Sequence, residues 1–341
     1  MLGAIWFFLW GILWAVYFML DGFDLGSGAL LPFMAKNDTE RKLVYRAIGP
    51  FWDGNEVWLI TAGGVTFAAF PTTYAVMFSG LYSALMLILF ALILRGVSFA
   101  FRNEVDHPGW KALWDFCLSG GSFLAAFLLG VAFANIFRGL PIDGAGIYQG
   151  GLLTLINPYG LAGGLLFLLL FLVHGSLWLA IKTEGPLKRR AAAMAARLWW
   201  PLLLVAALFL FASQRATTLF DNYRNHPALL LIPALTVAAL ILVYLFIRRG
   251  AWWRAWFASC ATIAGVTLFG VVGLFPRLLP SSIDPAYSLT IANSTSSPLT
   301  LKIMLGVALT FVPIVIAYQV WVHFLFKDKA KEEDLAGEGG Y

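Results

Sequence analysis

Two aspartates, Asp21 and Asp24, stand in the sequence Asp-Gly-Phe-Asp-Leu-Gly-Ser-Gly at the end of a long apolar run. Their spacing of three residues predicts that both carboxyls share one face of a helix. If that helix continues to Lys36, Asp21 lies about 22 Å from the following loop. A charge so deep in a membrane must face protein or water, or carry a proton. The pair is therefore a candidate for proton transfer or ion binding, with hydrogen bonding between helices as the alternative.

A second polar group follows Pro50, which suits the first turn of a helix. Asp53 and Glu56 again share one face, within the sequence Trp-Asp-Gly-Asn-Glu-Val-Trp. Acids in a first turn also stabilise the helix dipole without any other role, so both interpretations stay open for this pair. Asp115 begins a later apolar run and is a further candidate for the same acidic group.

Histidine and cysteine are scarce, which limits metal and haem chemistry. Only His174 of the 4 histidines lies deep in an apolar run. Haem iron usually takes His or Met ligands from facing helices, so a lone deep histidine favours a hydrogen-bonded core residue. Cys117 and Cys260 lie in apolar runs and form no Cys-x-x-Cys pair, so neither a metal site nor a disulfide is predicted.

Apolar helices must position these residues. The chain is 60% hydrophobic and only 12% charged, whereas a soluble domain carries about 25% charged residues. A bilayer accommodates such a surface, provided that every backbone group is paired within its helix. We therefore predict an all-α polytopic membrane protein with about nine transmembrane helices, arranged as two four-helix bundles plus one peripheral helix. The predicted spans are 4–33, 51–70, 74–100, 111–137, 157–181, 192–213, 228–247, 255–275 and 299–326.

Lysine and arginine concentrate in alternate loops, and this bias predicts the orientation. The basic loops hold Lys36, Arg41, Lys42, Arg46, Arg102 with Arg95 and Lys111 at its edges, Lys182, Lys188, Arg189, Arg190, Arg248, Arg249 and Arg254. Cytoplasmic loops are enriched in these residues, so the N-terminus is predicted outside and the C-terminus in the cytoplasm. The net charge of +5 then belongs to membrane loops and does not indicate nucleic-acid binding. Residues 1–326 are predicted to form one transmembrane domain and 327–341 a disordered tail.

Several segments together form a family pattern. They are Asp-Gly-Phe-Asp-Leu-Gly-Ser-Gly at 21–28, Asn-Asp-Thr-Glu-Arg at 37–41, Trp-Asp-Gly-Asn-Glu-Val-Trp-Leu at 52–59, Leu-Pro-Ser-Ser at 279–282 and Ser-Ser-Pro-Leu-Thr-Leu at 296–301. This pattern resembles subunit II of the cytochrome bd ubiquinol/menaquinol oxidases over nearly the whole chain. The resemblance implies a respiratory complex of the bacterial cytoplasmic (inner) membrane that oxidises quinol and reduces dioxygen to water.

The resemblance also implies a division of labour between subunits. Haems b and d and the quinol-oxidation loop belong to subunit I, with which subunit II forms a heterodimer. A small accessory subunit, membrane lipids and a bound quinone (menaquinone or ubiquinone) are further partners that the family allows. Subunit II would support assembly and contribute a proton path from the cytoplasm, whose acids match Asp21 and Asp53. A further family acid is replaced by Phe99-Ala100-Phe101 here, and Glu56 is the candidate to compensate.

Two other functions fit the same acids. A secondary transporter or ion channel also places carboxyls and glycine-interrupted helices within the membrane. A purely structural subunit of the same oxidase would need no proton path. Purification with a haem-bearing partner separates the oxidase from the transporter, and substitutions of the acids separate a path from a scaffold.

Overall fold

Proline and polar capping residues determine where many of the long helices begin. The computed structural model describes residues 1–331 and 333. Before one helix, the side chain of Asn157 accepts a hydrogen bond of 2.9 Å from the backbone amide of Gly160. Pro158 follows at the first helical position, where a missing N–H costs no hydrogen bond. Ser297 and Pro298 repeat the arrangement at the start of the last helix.

The regular structure of the described residues is almost entirely helical. The α-helices are α1 Leu2–Ala29, α2 Leu31–Met34, α3 Asp38–Ile48, α4 Trp52–Ala69, α5 Pro71–Gly80, α6 Tyr82–Phe101, α7 Pro108–Arg138, α8 Pro158–Lys182, α9 Gly185–Ala216, α10 Leu219–Asn225, α11 Leu231–Arg248, α12 Trp252–Leu274, α13 Ile291–Ser294 and α14 Pro298–Leu325. Short 3-10 helices span Leu152–Leu155, Pro227–Leu230 and Pro285–Tyr287. Two short antiparallel strands, β1 Arg277–Leu279 and β2 Leu289–Thr290, lie in the loop before α14.

The predicted class, an all-α polytopic membrane protein, is confirmed. Among the described residues, 8 helices are long and apolar enough to cross a membrane: α1, α6, α7, α8, α9, the helix Pro227–Arg248 that includes α11, α12 and α14. The sequence predicted about nine. The remaining predicted span, 51–70, is present as α4, an 18-residue helix whose first turns contain Asp53, Asn55 and Glu56. These polar residues lower its hydropathy, so α4 does not count with the others. The predicted orientation of the termini stays a prediction.

The predicted continuous span 74–100 is interrupted. Helix α5 ends at Gly80, and α6 starts at Tyr82 after Leu81, whose backbone is not helical. Gly80 disfavours a continuous helix here, because glycine loses more conformational entropy than any other residue when it is held in a helix. The break leaves α6 as a separate helix of 20 residues.

Helix packing forms two groups of four plus a peripheral helix, as predicted. Helices α1, α4, α6 and α7 contact one another in one group, and α8, α9, α11 and α12 form the other. The groups are joined by contacts of α8 with both α1 and α7 and of α1 with α12, and α8 approaches α1 very closely. A Cβ added at Gly26 would stand 1.7 Å from the carbonyl oxygen of Phe171, so only glycine fits there. This contact places the end of α1 deep inside the protein.

The last helix, α14, lies at the periphery against α1 and α4, and Leu301 is its one fully buried residue. The chain after it returns to the bundle, because the ammonium of Lys182 donates hydrogen bonds to the carbonyls of Phe326 and Asp328. Lys329 also pairs with Glu184 at 2.9 Å. The disordered tail was predicted for residues 327–341, of which 332 and 334–341 lie outside the described part of the chain, and its disorder stays a prediction.

Candidate functional site

Arg95 is the centre of a buried group of ionisable side chains contributed by three helices. Its Nη2 lies 2.8 Å from Oδ1 of Asp21 on α1, and its Nη1 lies 2.5 Å from Oε1 of Glu56 on α4. The side chains of Arg95 and Asp21 are 0% exposed, whereas that of Glu56 is 22% exposed. The guanidinium fork therefore joins a fully buried carboxyl to one that reaches the protein surface.

Asp24 lies one turn further along α1 and has a different partner. Its Oδ2 accepts a hydrogen bond of 2.6 Å from Nδ2 of Asn55, which also donates to the carbonyl of Leu20 at 3.2 Å. Asp24 and Asn55 are both buried. Asn55 thus ties the start of α4 to α1 and aligns Glu56, which follows it directly, with Arg95.

Asp21, Asp24, Glu56 and Arg95 are called the buried acid cluster below. Within the described residues, it contains three carboxyls and one guanidinium. Asp21 Oδ2, Asp24 Oδ1 and Arg95 Nε are buried and have no hydrogen-bond partner there. Carboxylates buried without enough positive charge are strongly disfavoured unless they are protonated or hydrated. The cluster is thus chemically equipped to hold protons.

Local sequence explains how the three helices bring these groups together. Gly22 and Gly26 let α8 approach the back of α1, since Phe171 occupies the space where their Cβ atoms would be. Gly96, next to Arg95, leaves room for the ring of Trp52 on α4. The carbonyl of Arg95 also accepts a hydrogen bond of 2.5 Å from the hydroxyl of Ser98. Small residues on α1 and α6 therefore set the distances between the ionisable groups.

Asp53, which the sequence also predicted as a site residue, lies at the surface of this chain. It lies in the first turn of α4, and its side chain is exposed. Asp53 is three residues before Glu56 and shares its helix face. The structure therefore brings Asp21, Asp24 and Glu56 together, with Asp53 one turn outside them. The roles of all four in proton transfer stay a prediction.

Asp115 lies in a separate cluster at the Lys- and Arg-rich end of the bundle. Its Oδ1 is 2.6 Å from Nε of Arg102, and its Oδ2 is 2.7 Å from Nη1 of Arg41. Arg102 also binds Asp38 at 2.7 Å. These four residues are called the surface ion network below; Arg102 and Asp115 are themselves buried, and Arg41 and Asp38 reach the surface. It joins α3, α6 and α7, and the structure does not bring Asp115 into contact with the buried acid cluster.

The pKa of Asp38 reflects this network. Partial burial acts to raise the pKa of Asp38, but the hydrogen bond and the positive charge of Arg102 outweigh it. The pKa therefore lies below its ordinary value. The pKa of Glu40, on the same helix, is also lowered, because its hydrogen bonds with Arg190 and with the backbone amide of Lys36 outweigh the effect of its burial. These carboxyls stay ionised at neutral pH.

His174 does not fit a haem ligand. It is fully buried, with Nδ1 3.0 Å from Oγ of Ser259 and Nε2 3.0 Å from the carbonyl of Met19. Its ring also stacks on Trp256 at a centroid distance of 5.2 Å. Both ring nitrogens are already engaged, so neither is available to bind iron. Among the described residues, no group of three or more His, Cys, Asp or Glu side chains could hold a metal ion.

Sequence reasoning missed Arg95, the residue that organises the site. It was assigned to the edge of a basic loop, but it lies six residues before the end of α6, about 9 Å inside the helix. A signal was present, because Arg95 is the one charged residue of α6. An ionisable residue within a span usually pairs with another one, so the nearby acids should have been assigned to it.

The chain is similar over almost its full length to proteins of one family. The family model for cytochrome bd terminal oxidase subunit II matches residues 2–326. Cytochrome bd ubiquinol oxidase subunit 2 of Bacillus subtilis is 37% identical over 330 residues, which cover 97% of each chain. Cytochrome bd-I ubiquinol oxidase subunit 2 of Escherichia coli is 35% identical and covers 97% of this chain and 96% of its own. A chain of the solved bd oxidase from Geobacillus thermodenitrificans shares the fold, with a TM-score of 0.75 at 17% identity, covering 95% of this chain and 98% of that one.

Proposed function

The chain belongs to the cytochrome bd terminal oxidase subunit II family, and from this premise we propose that it supports assembly of the haem-bearing subunit I and conducts protons to it. It is a multi-pass protein of the bacterial cytoplasmic membrane and a subunit of a quinol oxidase. The resemblance identified from residues 21–28 and 52–59 is thus confirmed. The observation that carries the proposed proton path is the buried acid cluster, in which three carboxyls share one guanidinium.

The oxidase reaction creates the need for such a path. Quinol oxidation releases protons on the outer side, whereas dioxygen reduction consumes protons taken from the inside. Those protons must cross part of a low-dielectric core, which carboxyls and water make possible. Haems b and d supply the redox chemistry in subunit I, and His174 of this chain has no free ring nitrogen for either haem.

The path begins where exposure changes along α4. Asp53 is exposed and collects protons at the surface, while Glu56 is partly exposed and touches Arg95. The guanidinium keeps Glu56 and Asp21 in fixed positions without giving up its own proton. Asp21, which is fully buried, then passes protons towards the partner. Asp24, which is hydrogen-bonded to Asn55, is a second buried carboxyl that could carry protons beside Asp21.

The exposed face of α4 supports a contact with subunit I. Glu56, three residues further into this helix than Asp53, is still partly exposed, at a position where lipid would disfavour a carboxylate. A protein partner with bound water would satisfy this group. Gly63 and Gly64 on the same helix have open space where a Cβ would be, which allows another surface to approach closely.

The test is the Asp21→Asn variant of the purified complex. We expect quinol oxidase turnover per haem to fall by at least about tenfold, because the amide keeps the shape of the carboxyl but cannot release and rebind a proton as an acid does. The haem absorbance spectrum and the amount of subunit I should stay unchanged. Asp221→Asn is the matched control, since Asp221 is exposed and far along the chain in α10.

Two results contradict the proposal in different ways. Full turnover in the Asp21→Asn complex would remove Asp21 from the path. Loss of haem together with loss of turnover would assign the cluster a structural role in assembly. A transporter would instead purify without a haem-bearing partner, so the colour of the preparation separates that second class.

A further inference from the structure

A basic cavity lies between α2 and the start of α9, and its lining includes no residue of the buried acid cluster. Its volume is about 460 Å³, and its lining includes Lys36, Arg189, Arg190 and Arg197 together with the apolar side chains of Phe33 and Met34. Four cations around one cavity are more than helix capping requires. A cavity with this charge at the end of a membrane helix is suited to binding an anion.

Of the four cations, Arg190 forms part of the cavity wall through its own contacts, and the other three can bind an anion in the cavity. Arg190 donates a hydrogen bond of 2.8 Å to the carbonyl of Met34 and pairs with Glu40 at 2.5 Å, so it fastens α9 to α2 and α3. Within the described residues, Lys36, Arg189 and Arg197 make no side-chain hydrogen bond or ion pair. Glu40 is the neighbouring carboxylate. It is bound by Arg190 and by the backbone amide of Lys36, and the positive charge of Lys36 also acts on it.

The cavity continues into an apolar stripe that faces the membrane. Residues Arg189, Ala193 and Arg197 are spaced by four along α9 and share one face. The same face continues through Trp200, Leu204, Leu208 and Phe211, each more than half exposed. Arg197 lies about 12 Å along the helix axis from Arg189, and its long side chain can extend back towards the cavity. Phe33, 67% exposed, flanks the opening.

We propose that this cavity binds the headgroup of an anionic phospholipid, whose acyl chains lie along the exposed stripe of α9. A phosphodiester carries the negative charge and the acceptor oxygens that the cations Arg189, Arg197 and Lys36 around this cavity would bind. The stripe from Trp200 to Phe211 matches a fatty acyl chain and offers nothing to a free phosphate. Basic pockets between helices at one face of a membrane protein are typical sites for anionic lipid headgroups.

The test measures lipid retention by the purified complex in detergent. Native mass spectrometry would count bound phosphatidylglycerol and, separately, phosphatidylcholine with the same acyl chains. We expect phosphatidylglycerol to be retained preferentially. The double variant Arg189→Gln/Arg197→Gln should weaken this retention roughly thirtyfold, because two juxtamembrane cations are lost. Both side chains are exposed and lack a partner in the described chain, so the variant should fold.

Two further variants separate the cavity from a general surface potential. Arg248→Gln/Arg249→Gln removes the same charge from exposed positions at the end of α11, outside the cavity lining, and should leave retention unchanged. Ala193→Trp fills the cavity without changing the charge and should lower retention as the arginine variant does. It also keeps the test decisive if the arginine variant fails to fold.

Three outcomes would overturn the proposal. Equal retention of phosphatidylcholine and phosphatidylglycerol would exclude an anionic headgroup site. Displacement of phosphatidylglycerol by millimolar inorganic phosphate would indicate a small-anion site without an acyl stripe. An equal loss in the Arg248/Arg249 control would assign the effect to the overall charge of this end of the protein.

Discussion

The buried acid cluster has three carboxyls for one guanidinium, whereas the surface ion network has two carboxyls for two guanidiniums. In the cluster, Asp21, Asp24 and Glu56 share Arg95, and several polar atoms have no hydrogen-bond partner in the described chain. In the network, Asp38 and Asp115 are bound by Arg41 and Arg102, with Lys42 and Lys111 nearby. A carboxylate with a matching cation beside it is held ionised, whereas carboxylates that outnumber their cations more readily take a proton. The comparison predicts that the network stabilises helix ends and the cluster carries protons.

The largest effect is expected from Arg95→Met. This change leaves Asp21 and Glu56 without their cation, and breaking a buried ion pair costs about 3–5 kcal/mol of folding stability. The amount of folded chain in the membrane should fall sharply, as measured by quantitative immunoblot and thermal unfolding in detergent. Adding Asp21→Asn to Arg95→Met should restore part of the loss, because the uncompensated charge is then removed.

If Asp21→Asn does not restore stability to Arg95→Met, the contrast between the buried acid cluster and the surface ion network would need another explanation. If the double variant is no more stable than Arg95→Met alone, the guanidinium supports the helices mainly by its packing volume. Arg95→Lys is the matched variant for this question, since it keeps the charge but loses the fork between two carboxyls.

The next largest effect is expected from Asp115→Asn in the surface ion network. The neutral amide weakens three charged hydrogen bonds, one from Arg41 and two from Arg102, which should cost about 2 kcal/mol of stability. The melting temperature of the complex should fall, while oxidase turnover per haem stays at the wild-type value. An unchanged melting temperature with reduced turnover would instead place Asp115 on the proton path, as the sequence alone allowed.

Glu56→Gln should have a smaller effect than Asp21→Asn on turnover. Glu56 is partly exposed, so water at the surface replaces some of its role once the carboxyl is lost. We expect a severalfold decrease in turnover per haem, with an unchanged haem spectrum. A decrease as large as that of Asp21→Asn would show that protons enter through Glu56 alone.

The smallest effect concerns the acid sensitivity of the network. The pKa of Asp38 is lowered in the folded protein, so its contribution to stability is present above the unfolded pKa of about 3.9 and is lost as the pH falls from there through the lower folded pKa. The melting temperature of the wild type should therefore approach that of Asp38→Asn as the pH falls from about 4 to about 3. A constant difference across that range would mean that Asp38 acts by its shape and not by its charge.

The fold was largely predictable from the sequence because the bilayer imposes a simple rule. Apolar runs such as 157–181 and 255–275 correspond closely to α8 and α12. The expectation that each apolar run forms one continuous apolar helix was least successful for the predicted spans 51–70 and 74–100. Polar residues at the start of α4 lower its hydropathy, and Gly80 divides the next segment into α5 and α6. Both departures occur in the helices that carry the buried acid cluster or lead into it.

The sequence by itself determined which residues share a helix face, since spacing along one helix settles that question. It placed Asp21 with Asp24 and Asp53 with Glu56, and it excluded a fully aqueous protein by composition. Only the tertiary structure decided which faces meet. The close approach of α1 and α8 at Gly26, together with the positions of α4 and α6, brings Arg95 between Asp21 and Glu56 and leaves Asp115 to Arg41 and Arg102. Contacts between helices depend on packing across the whole bundle, which the spacing of residues within one helix does not contain.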